Sequence, residues 1–198
     1  VRGVSQLSLF SAEARPAALT DLAGLLCGPG QIVRFGAGDQ ARLSIVLADA
    51  ERAPAARVAL AAAGVAVQAV VTESGATALR TAFRCDLADL ARAWTRGAVK
   101  AVPSEWQLDG SALRLWALTA GAPDGRGGYL LGLDPHAPHT HQALVAAATR
   151  AGLPPARVAG ALRISGTRRM ARLVELVGPA PDRMPAGTWP RYRGRTAC

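Results

Sequence analysis

The feature that most limits the fold of this chain is a pattern that occurs twice. Ala78-Leu79-Arg80 recurs as Ala161-Leu162-Arg163, and at the same offsets beyond each triplet Leu87, Leu90 and Trp94 correspond to Met170, Leu173 and Val177. Apolar residues at that spacing share one side of a helix, so each unit reads as a strand followed by a packed helix. A repeat of this length implies two related lobes around a shared core. An alanine-rich helix earlier in each half, residues 58–65 and 145–153, parallels its counterpart with one residue of slippage.

Local signals divide the halves further. A helix is expected from Thr20, with Asp21 in its first turn, until Gly28-Pro29-Gly30 breaks it. Strands follow at 32–35 and 42–47, then a helix at 54–63 with Pro54 at its start and Gly64 after its end. A second hairpin at 65–71 and 78–84 and a helix at 87–94 close the half. In the second half the segment 113–121 precedes a strand at 129–133 and a helix at 140–151, with the first strand short or missing. The expected class is α+β: helix, hairpin, helix, hairpin, helix, repeated once as a pseudo-twofold pair within a monomer. The repeats span 17–94 and 111–178. A linker at 95–110 and flexible tails at 1–16 and 179–198 complete the organisation.

That order resembles the single-chain LAGLIDADG proteins, the homing-endonuclease fold also used by WhiA-type regulators. Leu22-Ala23-Gly24-Leu25-Leu26-Cys27-Gly28-Pro29-Gly30 matches the motif at its Leu, Ala, Gly, Leu and final Gly positions, and residues 115–123 form a weak second copy. The resemblance implies two motif helices packed at the pseudo-twofold axis, with small residues such as Ala23 and Gly24 letting the backbones approach. It also implies a metal-binding acid at the eighth position of each copy. Here those positions read as Pro29 and Ala122, with Asp124 as the nearest substitute. The expectation is therefore a DNA-binding scaffold and not an enzyme, without cofactor or bound metal; a LAGLIDADG endonuclease and a WhiA-like regulator are the alternatives.

The charge supports a polyanionic partner: 23 Lys+Arg against 14 Asp+Glu give a net +9. Alternation along strands sends every second side chain to one face. Arg42 and Ser44 then share a face, as do Arg80 and Arg84, and Arg163 and Ser165; these are the candidate DNA contacts, joined by Arg96 and Lys100 in the linker. Arg168, Arg169 and Arg172 read as solvent-facing. The tail from Trp189 to Arg195 mixes aromatic and basic residues suited to stacking on unpaired bases.

Gln6-Leu7-Ser8-Leu9-Phe10 resembles the bacterial sliding-clamp-binding motif at all five positions. Leu7, Leu9 and Phe10 supply apolar anchors and Gln6 a polar group that sets register. The resemblance implies docking on the β sliding clamp, the β subunit of DNA polymerase III. Other chemistry is thinly marked. Cys27, Cys85 and Cys198 have neither disulfide nor zinc spacing. His136, His139 and His141 cluster near Asp134 in a proline-rich loop, and Gly125-Arg126-Gly127-Gly128 lacks the lysine of a phosphate-binding loop. No run is apolar enough to span a membrane, and a cytoplasmic, nucleoid-associated location is expected. The combined expectation is a non-catalytic accessory factor of DNA replication or repair, held to the clamp by its first residues and to DNA by its basic faces.

Overall fold

A computed structural model describes residues 11–36 and 39–192. At the centre lie two helices, α1 (Ala23–Cys27) and α4 (Gly110–Ala120), packed against each other. Their small residues set the separation: a Cβ on Gly24 would lie 2.6 Å from the carbonyl carbon of Ala112 and closer to its oxygen. A short 3-10 turn at Leu19–Leu22 leads into α1. Asp109 caps α4, its side chain accepting from the Ala112 backbone N–H at 2.8 Å. Arg15 bridges the starts of both helices, pairing with Asp21 beside α1 and with Asp109 at 2.9 Å.

Each central helix runs directly into a sheet. The first holds β1 (Gly30–Arg34), β2 (Ala41–Val46), β3 (Gln68–Val71) and β4 (Thr77–Arg80) in the order β1-β2-β4-β3. The second holds β7 (Gly121–Pro123), β8 (Tyr129–Gly132), β9 (Ala156–Val158) and β10 (Ala161–Ile164) in the order β7-β8-β10-β9, and both are antiparallel. Helices α2 (Ala53–Ala62), α3 (Ala88–Trp94), α5 (His141–Arg150) and α6 (Thr167–Val177) complete the halves. Leu43, Ile45 and Leu79 from one sheet and Leu131, Leu162 and Ile164 from the other turn inward and are buried in one core with Leu25, Leu113 and Trp116.

Several boundaries differ from expectation. The short first strand of the second half is present as β7. Residues 95–110 are not a plain linker. Thr95–Arg96 (β5) and Val99–Lys100 (β6) form a hairpin with Gly97 at φ 63°, and Trp106 packs edge-on against Trp94 at 5.0 Å. Strand β4 stops at Arg80 because Thr81 takes over the ladder, its Oγ1 accepting from the Leu43 N–H at 3.0 Å. The described parts of both tails are docked. Ser11 is buried and the Ala12 N–H donates to Leu176 O at 2.9 Å. Trp189 is buried, donates through Nε1 to Gly178 O at 2.9 Å, and lies under the Arg114 guanidinium. Trp189 is thus a core residue and offers no surface for stacking on bases. Among the described residues no helix is long and apolar enough to cross a membrane.

Candidate nucleic-acid interface

The site is built from the sheet faces turned away from the helices. In the first sheet the ladders align Gln31, Ser44, Arg80 and Gln68 in one row across four strands. Gln31, Arg80 and Gln68 are exposed and Ser44 is half-buried. One step along β2, Arg42 lies 4.8 Å from the centroid of Phe83, which meets the exposed Phe35 edge-on at 5.3 Å. In the second sheet the corresponding row is Ala122, Leu130, Arg163 and Ala156. Among the described residues Arg80 is in no ion pair. Arg163 differs, donating through Nε to Asp124 at 2.6 Å. The Asp124 carboxylate also accepts from the backbone N–H groups of Arg126 and Gly128, each at 2.7 Å. Burial opposes the charge on Asp124, but these backbone donors and the guanidinium together hold its pKa below the usual carboxylate range.

The ladders also fix the ends of the central helices. Gly30 pairs with Ile45, which pairs with Leu79; Gly121 pairs with Leu131, which pairs with Leu162. Gly30 and Gly121 therefore hold the same place, and so do their predecessors Pro29 and Ala120. The second motif copy lies at 113–121, two residues earlier than expected, and Ala120 replaces Ala122 as its eighth position. Neither Pro29 nor Ala120 has a side chain that ligates a metal, so the helix ends do not fit the divalent ion that the family resemblance implies. Cations stand at both ends instead. Arg52, buried, donates to the carbonyls of Ala117 at 3.2 Å, Leu118 at 2.9 Å and Gly121 at 2.6 Å. Lys100 Nζ donates to Gly28 O at 2.7 Å and to the buried Asp134 at 2.8 Å. Burial lowers the Lys100 pKa against the pull of Asp134. Positive charge at a helix C-terminus is favourable because the last carbonyls carry partial negative charge.

Several expected contacts are placed elsewhere. Lys100 is spent on this internal pair and does not reach the surface as a phosphate contact. Arg96 folds back on α3, donating to the carbonyls of Arg92, Ala93 and Thr95. Arg84 pairs with Asp86 and stands opposite the buried Ala41; the irregular turn at 81–83 brings Phe83, not Arg84, over Arg42. Ser165 is half-buried, one residue beyond the last paired position of β10. The histidines diverge. His141 Nε2 is bonded to Asp134 O at 2.9 Å and His139 Nε2 to Lys100 O at 2.7 Å, and the described residues gather no group of three metal-ligating side chains. Residues Gln6 to Phe10 lie outside the described residues. Gln31 and Gln68 were missed by sequence reasoning. Gln31 was lost because the strand was expected to start at Ile32, and the apolar Val33 two residues on leaves no polar alternation to mark its face.

No protein-family model matches the chain, and no curated protein matches it. The fold is that of the homing endonucleases. A solved structure of the homing endonuclease I-WcaI bound to its DNA recognition sequence superposes with a TM-score of 0.57 at 11% identity, covering 87% of this chain and 82% of that one. This finding corrects the expectation of a non-catalytic clamp accessory factor that is not an enzyme. The body of the chain has the fold of an endonuclease, and the endonuclease alternative is the better supported of the two.

Proposed function

We propose that this protein is a duplex-DNA-binding protein of the LAGLIDADG homing-endonuclease type, holding DNA across the outward faces of its two sheets. The observation that carries the reading is the row Gln31, Ser44, Arg80 and Gln68. It is a line of hydrogen-bonding side chains across a sheet, and its flexible amides and guanidinium suit the edges of bases and the phosphates beside them. The DNA-bound state of the structural neighbour and the net charge of +9 support the same partner. The test is selection from a random duplex library, followed by fluorescence anisotropy against a salt series. Enrichment of one sequence, with affinity falling as salt rises, is expected; failure to retain any duplex above background would sink the proposal. The endonuclease side of the reading is tested on the selected duplex with magnesium or manganese. Any scission must draw its acids from somewhere other than Pro29 and Ala120.

The pentapeptide Gln6 to Phe10 is proposed, on its sequence alone, as a docking tag for the β sliding clamp. Such a peptide binds at about micromolar strength. Calorimetry with a Leu9→Ala, Phe10→Ala double variant checks it, and unchanged clamp affinity rejects the tag.

A further inference from the structure

The two outward faces are not chemically equivalent. Register matching makes Gln31 the counterpart of Ala122, Ser44 of Leu130, Gln68 of Ala156 and Arg80 of Arg163. Three of the four polar positions in the first sheet are therefore aliphatic in the second, and aliphatic side chains neither donate nor accept a hydrogen bond. The fourth, Arg163, is held by Asp124 at 2.6 Å, and that carboxylate cancels its charge locally. Asp124 occupies the place that Val33 holds in the first sheet, next to the row. The first face adds a further group that the second lacks: Arg42 over Phe83, with Phe35 exposed beside it, at a position where the second has Gly128.

We infer that base readout is one-sided: the first sheet reads its half of the DNA site through Gln31, Ser44, Arg80 and Gln68, while the second only supports the duplex. This rests on the DNA reading above. It has a physical basis in the degree of discrimination each side can produce, since a hydrogen-bonding side chain left unpaired by the wrong base is penalised and an alanine or leucine is nearly indifferent.

The test uses the full chain and the duplex recovered by selection, with every base pair changed singly across both half-sites and affinities read by anisotropy. Losses of about tenfold per contacted base pair are expected in one half only, with less than about twofold change in the other. Arg80→Ala and Gln31→Ala should flatten the preferences of the reading half, whereas Arg163→Ala should leave every base preference unchanged. Gln31 and Arg80 are exposed, whereas Arg163 is half-buried and holds Asp124, so circular dichroism and a melting curve first confirm that each variant is folded. Equal preferences in both halves, or loss of preference with Arg163→Ala, would overturn the inference while leaving DNA binding intact. Absence of any bound duplex would instead remove the DNA reading on which it stands.

Discussion

Replacing Gly24 with alanine sets two effects against each other. Glycine inside a helix is about 1 kcal/mol less favourable than alanine, so propensity alone makes the change stabilising. The added Cβ, however, would lie 2.6 Å from the carbonyl carbon and 2.9 Å from the Cα of Ala112 on the facing helix. Carbon atoms pack at about 3.5 Å or more, so α1 and α4 must part by about 1 Å. A gap of that size forfeits up to about half the dispersion energy of each atom pair across it, and the obstacle is backbone, which cannot rotate away. Overpacking of this kind costs about 1–3 kcal/mol, and more where backbone must move. Because backbone must move, the cost falls at the upper end, about 3 kcal/mol; with the propensity gain of about 1 kcal/mol subtracted, the variant should be less stable by about 2 kcal/mol, which lowers the melting temperature by about 4–8 °C in a domain of this size. Urea and thermal unfolding, followed by circular dichroism, measure it directly. A midpoint that is unchanged or raised would show that the two helices do not touch here and would refute the central packing.

Other consequences are as concrete. Arg52→Met removes the cation serving three carbonyls at the end of α4; leaving buried acceptors unsatisfied costs about 1–3 kcal/mol, and an unchanged urea midpoint would show the contacts are incidental. Asp124→Asn addresses pH. Because the folded pKa is depressed, the contribution of Asp124 is complete above its unfolded value of about 3.9 and is lost as the pH falls through the folded one. The melting-temperature gap between wild type and D124N should therefore be constant near neutrality and close in acid; a gap independent of pH contradicts the role given to the carboxylate. In a Cys198→Ser background a thiol reagent should modify the exposed Cys85 at once and the buried Cys27, whose pKa burial pushes up, only on unfolding.

The sequence was most legible where physical constraints are strongest. The match of Ala78-Leu79-Arg80 to Ala161-Leu162-Arg163 places residues that hold identical ladder positions, because the inward leucines must fit the same layer under the same helix pair. Small residues at Ala23 and Gly24 were informative for the same reason: helices cannot approach without them. The second helix pattern was misplaced by two residues because Leu113, Leu115 and Leu118 satisfy either alignment, and only the strand register separates them. Side-chain use was hardest to read. Whether a polar side chain reaches the surface or folds back is not marked in the local pattern: Arg96 turns onto the carbonyls ending its own preceding helix, while Lys100 and Trp189 find Asp134 and Gly178 farther along the chain. Strand alternation assigned Arg84 to the wrong face because no local signal marks the Thr81 hydroxyl as a replacement for a ladder bond.

The divergence between the halves separates what folding requires from what function requires. Inward positions stay large and aliphatic in both sheets, Ile45 with Leu131 and Leu79 with Leu162, since a smaller residue there would leave a cavity. Outward positions carry no such demand, and three of the four in the central row differ in kind. The conserved geometry at the fourth makes the point most directly. Arg80 and Arg163 hold the same ladder position, yet one is exposed and the other is tied down, because the neighbouring place is Val33 in one sheet and Asp124 in the other. A single carboxylate, braced by two backbone N–H groups of its own turn, converts a surface-seeking arginine into a structural one. The two sheets thus share one inward packing and differ outwardly at the places where, in the DNA reading proposed above, base contacts would be made.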